Sequence, residues 1–217
     1  MSRTRWAVLA AISVGVASSI VPVYSIMLRM KAESLIRNTS IVSQHIGEAT
    51  SLSTLQAIYR RRLTQMPGCT SADCGYEVVE SNRVLAVLHW APYSELRSEI
   101  WFQDGKLRAT FLDFASSANP HHSIVSHVYI QEGEGLEFDL DPWEETSPAD
   151  TNGIVGVSPE SLKVHEKTVL GFDLNCLTNH RGCMSVAELL PTVWEQRKDG
   201  KIRCRLQNHE GFIEGPW

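Results

Sequence analysis

The feature that most limits this chain lies at its start: 23 consecutive residues, Trp6 to Leu28, carry no charge, with Arg3 and Arg5 before them and Arg29 and Lys31 after. As a helix this run measures about 34 Å, enough for a bilayer core of about 30 Å. It is expected to be a transmembrane helix, with Pro22 as an internal break that such helices tolerate better than most. A cleaved signal peptide is the competing expectation, with Trp6 to Val14 as its apolar core and Gly15, Ala17 and Ser19 as small residues near a cleavage site. The apolar run continues well past those positions, which favours a retained anchor. Basic residues do not orient the helix, since Arg29, Lys31 and Arg37 follow it as Arg3 and Arg5 precede it.

The cysteines supply the orientation. Cys69 and Cys74 are separated by four residues, Cys176 and Cys183 by six. Each pair is expected to close a small disulfide loop, which needs an oxidising compartment. Zinc is the weaker reading, because neither pair has Cys-x-x-Cys spacing, although Cys69, Cys74, Cys176 and His180 make four ligands. Cys204 is the odd fifth cysteine. The expected organisation is a short cytoplasmic tail over residues 1–5, an anchor over 6–28, a helical stalk over 29–66 and an extracytoplasmic β-rich domain over 67–217. Such a chain is single-pass in an inner or plasma membrane, with its domain in the periplasm or outside the cell.

Charge narrows the partners. The chain has 20 Lys and Arg against 25 Asp and Glu, a net charge of −5 and a pI near 5.9, where a nucleic-acid binder needs a basic face. Its expected partners are the bilayer, through residues 6–28, and an envelope protein.

Beyond the anchor, helical character continues to about residue 66. Leu35, Thr39, Val42 and Ile46 recur at 4-3-4 spacing on one face, and Ser53-Thr-Leu-Gln56 reads as a capping box opening a second helix. Strands are expected at Tyr76–Ser81, Val84–Ala91, Leu96–Gln103, Leu107–Phe114 and Ser123–Gln131. The clearest is a hairpin about Asp104-Gly105. A type I′ turn there pairs Gln103 with Lys106, sets Phe102 opposite Leu107 and Ile100 opposite Ala109, and brings Trp101 to Arg108 as a cation–π pair. Ser161–Asn175 reads as a further strand. Ser185-Val-Ala-Glu188 is a capping box for a C-terminal helix that Pro191 kinks or breaks, and Lys201–Leu206 would close the domain as a short strand.

Three groups of residues have the composition of a site. Residues 137–153 form an acidic, turn-rich stretch expected as a long exposed loop, in which Asp139, Asp141, Glu145 and Asp150, with Asn152, are candidate oxygen ligands for Ca²⁺. The spacing and mid-loop Gly of an EF-hand are missing, so the same composition also describes a solvated acidic loop. His121, His122 and His127 have the composition of a metal cluster, but on a strand His121 and His127 share a face while His122 points away. Cys204, between Arg203 and Arg205, reads as an inward-facing core thiol. The sequence contains no Gly-x-Ser-x-Gly, Ser-x-x-Lys, His-Glu-x-x-His or phosphate-binding Gly-x-x-x-x-Gly-Lys, and no dinucleotide fingerprint.

The fold class expected is α+β: an anchor helix and stalk, then a mainly antiparallel β domain, either a curved sheet or a two-sheet sandwich, with a C-terminal helix. An apolar N-terminal helix running into an amphipathic helix and an antiparallel sheet with cysteines resembles the architecture of type IV pilins and pseudopilins. Their processing site, Gly before Phe-Thr-Leu-Ile-Glu, has no counterpart, because Arg5 precedes Trp6-Ala-Val-Leu-Ala and the run holds no glutamate. The function expected is a noncatalytic cell-envelope binding or assembly module. An anchored periplasmic hydrolase and a pilin-like structural subunit are the alternatives.

Overall fold

A computed structural model describes residues 3–70, 73–119, 122–132, 137–140, 152–198 and 203–204, with side chains for 20–70, 73–117, 124–132 and 153–196. Its first element, helix α1 (Arg3–Ser43), is a single helix of 41 residues with Pro22 inside it. Val21, Leu28, Ala32, Leu35, Thr39 and Val42 are buried, as is Ile46 just past its end. Their spacings of seven, four and three residues make one stripe along the helix. No helix among the described residues is long and apolar enough to cross a membrane; the side chains up to residue 19, most of the uncharged run, lie outside that description.

After α1 come α2 (Leu52–Tyr59), β1 (Thr64–Gln65), β2 (Asp73–Ser81), α3 (Arg83–Val87), β3 (Tyr93–Gln103), β4 (Lys106–Asn119), β5 (His122–Gln131), β6 (Glu137–Leu140), β7 (Asn152–Val157), α4 (Pro159–Val169), a 3₁₀ turn (Leu174–Leu177), α5 (Val186–Leu189), α6 (Pro191–Lys198) and β8 (Arg203–Cys204). The fold is α+β. The strands make one sheet in the order β1-β2-β3-β4-β5-β7-β6-β8. Neighbours are antiparallel except β5 with β7 and β6 with β8, which are parallel. The sheet is therefore mixed, and a second sheet to complete a sandwich is not found among the described residues. Helix α1 lies against β2, β3 and β4, and α4 against β5 and β7. Both contribute to one core that also contains Leu96, Ile100, Leu112, Phe114, Val128, Ile130, Val155 and Leu162. Alternation in β3 drives this directly, since Leu96, Ser98, Ile100 and Phe102 are buried and Glu95, Arg97, Glu99 and Trp101 stand on the other face.

Hydroxyl groups cross the interface between α1 and the sheet. Thr39 Oγ1 donates to the Leu35 carbonyl at 2.9 Å and lies 2.7 Å from Ser98 Oγ and 3.2 Å from Tyr59 Oη, while Tyr59 Oη and Ser98 Oγ are 2.9 Å apart. One turn on, Ser43 Oγ meets Thr110 Oγ1 at 2.6 Å. All five residues are buried, so these bonds satisfy groups that water cannot reach. Burial raises the Tyr59 pKa, and its bonds to Ser98 and Thr39 pull it partly back.

Several elements differ from the sequence expectation for identifiable reasons. The hairpin turns at Asp104 and Gly105, both at positive φ, and pairs Gln103 with Lys106 and Phe102 with Leu107 as expected. A β-bulge then shifts the register, so Trp101 faces Ala109 and Ile100 faces Thr110. In a regular strand of this sequence Leu107 and Leu112 would face opposite ways, so burying Leu107 would turn Leu112 and Phe114 outward; the bulge, which takes up Arg108 as an extra residue, lets all three face the core. The Trp101–Arg108 pair is consequently not formed. Val84–Ala91 is no strand, because its first half is α3. Ser161–Asn175 is largely helix α4, started by Ser158, whose hydroxyl accepts from Ser161 N–H, with Pro159 at the first turn. The cap of α2 is Ser51, accepting from Thr54 N–H, rather than Ser53. The acidic stretch begins as strand β6, paired antiparallel with β7. At the C-terminal helix the expectation holds: Ser185 caps α5 by accepting from Glu188 N–H, and Pro191 starts a separate helix, α6.

Candidate functional site

The sheet face away from α1 gathers ionisable side chains by register. Arg97 stands opposite Asp113, and Asp113 opposite His127 on the next strand; Glu99 stands opposite Glu77. Arg97 is the hub. Its Nη2 donates to Glu95 Oε1 at 2.9 Å, and its Nη1 lies 3.5 Å from Glu77 Oε2 and 3.7 Å from Glu99 Oε1. Trp101 Nε1 donates to Glu99 Oε2 at 3.3 Å, and Tyr93 Oη donates to Glu95 Oε2 at 2.7 Å. His127 Nδ1 and Asp113 Oδ1 are 2.8 Å apart.

Electrostatics follow from that crowding. The hydrogen bond to Asp113 raises the His127 pKa; partial burial works against it, and the charges of Asp113 and Glu99 add to the rise. Glu99 is also raised, first by desolvation and then by Asp113, with Trp101 and Arg97 pulling it back and Glu77 adding a little. Among the described residues of this face, four carboxylates thus meet one guanidinium and one imidazole. Such a face attracts cations and takes up protons more readily than isolated side chains do.

The outer-face residues next to His127 by alternation and register are Val125, Tyr129, Asp113 and Ile154, none of them a serine or cysteine nucleophile. A concavity of about 460 Å³ lies elsewhere, between α1 and α4, lined by Arg29, Glu33 and Arg37 at helical spacing and by Glu166, Lys167 and Asp173. Its charges alternate in sign, and Ser40 already donates to Glu166.

Of the residues singled out in the sequence, the structure brings Cys69 to Cys74 and Cys176 to Cys183 at disulfide distance. Asp139 lies in β6 and Asn152 in β7 by backbone, but their side chains, together with Asp141, Glu145 and Asp150, lie outside the described residues. The same holds for His121 and for the side chains of His122 and Cys204; Cys204 pairs with Phe138 through the backbone of β8. Among the described residues no group of three His, Cys, Asp or Glu converges as a metal site. The Asp113–His127 pair was not read from the sequence. Alternation places both on one face of neighbouring strands, but their meeting depends on the β4–β5 register. Comparison of the chain with protein-family models, curated proteins and solved structures finds no match.

Proposed function

We propose that this chain is a membrane-anchored extracytoplasmic module that binds or assembles with other envelope components and turns over no substrate. The observation that carries this reading is the continuity of α1. The uncharged run and the stripe that packs on the sheet belong to one helix, Arg3–Ser43, with no linker between them. Whatever holds the run therefore holds the domain. Two cysteine pairs at disulfide distance support an oxidising compartment, and the acidic outer face, which suits a basic segment, is the surface offered to a partner. Alkaline carbonate extraction of native membranes tests the anchor, with the chain expected in the pellet. Mapping cysteines after blocking free thiols tests the side, with Cys69–Cys74 and Cys176–Cys183 expected as linked peptides. Release by carbonate, or five reduced cysteines, overturns the reading.

A pilin-like structural subunit is the second reading, favoured by the way α1 lies across consecutive antiparallel strands β2, β3 and β4. N-terminal sequencing of the mature chain and electron microscopy of sheared cell surfaces separate the two, since a subunit of that kind is trimmed and found in filaments. Sustained turnover of an ester or peptide by the purified full chain would instead favour an anchored hydrolase.

A further inference from the structure

Helix α3 and the turn after it carry Val84, Val87, Leu88 and Trp90 to the surface, with Val87 72% exposed. This apolar surface is rigidly held. Beneath it Leu85 and Ala91 are buried against Val21 of α1, with Tyr24 packed alongside and donating to the Ser81 carbonyl at 3.2 Å. At its base buried Asn82 accepts from Ser94 N–H at 2.8 Å and donates to the carbonyls of Pro92 and Leu177 at 2.7 and 2.8 Å. A fixed cluster of large apolar side chains in water marks a contact surface.

We propose that residues 83–90 form a foot that dips into the headgroup and outer acyl layer of the bilayer beside α1, an inference that rests on the membrane-anchor reading. Position is the first argument. Val21 and Tyr24, on which the foot packs, precede Leu28 by seven and four residues, so the foot sits about 6 to 10 Å inside the end of the uncharged run. Length is the second. The domain covers α1 from Val21 on among the described side chains, whereas a hydrocarbon layer of about 30 Å takes about 20 residues of helix, so a bilayer that holds the run from Trp6 reaches past Val21 to the level of the foot. Immersing the foot brings the rest of the run into the bilayer and avoids a mismatch. Charge is the third. From Asn82 to Ser94 the chain has no carboxylate, although its net charge is −5, and the exposed cation beside the apolar residues is Arg83. Anionic headgroups suit that composition, and Trp90 is the residue type that favours the interface.

The test uses the full chain in phosphatidylcholine–phosphatidylglycerol vesicles. In a Cys204→Ser background, Val87→Cys is labelled with an environment-sensitive nitrobenzoxadiazole probe under nonreducing conditions. Lys106→Cys serves as the control, because the hairpin tip that carries it lies beside Gly47, just past the end of α1 at Ser43, which is about 33 Å further along the helix than Val21. Blue-shifted emission at position 87, quenched by doxyl-labelled lipid, with the position 106 probe remaining as in water, is the expected result. Emission at 87 that is water-like while the vesicles still carry the protein on flotation overturns the foot and leaves the anchor standing. Blue-shifted emission that doxyl lipid does not quench means another protein covers this face, and also overturns it. Failure to float with the vesicles removes both.

Discussion

Asp113 and His127 face each other across β4 and β5, with Oδ1 and Nδ1 2.8 Å apart. Because the His127 pKa is raised in the folded chain, its stabilising contribution is complete below its unfolded value of about 6.5 and is lost as pH rises through the folded value. Glu99, also raised, acts with the same sign at lower pH. Asp113→Asn is therefore expected to lower the His127 pKa in an NMR titration. The stability gap between wild type and variant, measured by urea denaturation across pH, should be wider just below about 6.5 and close as pH rises through the folded value of His127. A gap that widens with rising pH would contradict this assignment.

Ser98→Ala removes one corner of the buried hydroxyl triangle with Thr39 and Tyr59. A loss of about 1–3 kcal/mol is expected, because the phenol keeps its burial and loses a partner. Chemical denaturation measures it, and a neutral result would mean that the triangle contributes nothing.

Deleting Arg108 is expected to leave the fold intact. That residue is the extra one in the bulge, so its removal restores a regular ladder in which Leu107 still meets Phe102 and Ala109 still meets Trp101. Deleting Ala115, in the regular part of β4, turns Ser116 and the residues after it to the opposite face and should unfold the edge it forms with β5. Circular dichroism and thermal melts of the two deletions distinguish them.

Gly156→Ala should destabilise the β5–β7 pairing, since a Cβ there would run into the Tyr129 ring lying over that glycine. Overpacking of this kind typically costs about 1–3 kcal/mol. Tyr129→Ala in the same chain is expected to relieve the clash, and a double-mutant cycle reads that coupling directly.

Removing the Cys176–Cys183 link by paired alanine substitution should cost about 2–3 kcal/mol on loop entropy alone. The loop it closes includes Thr178, which accepts from Arg29 of α1, and Leu177, whose carbonyl accepts from Asn82. Thermal denaturation under nonreducing conditions checks the value.

Much of the sheet was legible in the sequence. Alternation along β3 and the Asp104-Gly105 turn define the hairpin, and the stripe through Leu35, Thr39, Val42 and Ile46 defines the buried face of α1. The bulge was not legible, because it answers to the burial of Leu112 and Phe114 several residues downstream, a tertiary demand that no local pattern states. Val84–Ala91 misled for a related reason. Its apolar residues look like a strand, but folding buries Leu85 and Ala91 and leaves Val87 and Trp90 outside. The cap at Ser158-Pro159 was the local signal for α4 that a strand reading of Ser161–Asn175 passed over. At the candidate site the side chains were visible one by one, whereas their assembly about Arg97 and Asp113 depends on the pairing of three strands.

Helix α1 is held to the domain by polar bonds along its length: Tyr24 to Ser81, Arg29 to Thr178, Thr39 to Ser98, Ser40 to Glu166 and Ser43 to Thr110. A helix held by apolar contacts alone can turn by one residue, about 100°, and find another fit. Here such a turn breaks every one of those bonds together. The domain therefore has a fixed compass bearing about its own helix axis, and a torque applied to the first half of α1 would rotate the whole sheet with it.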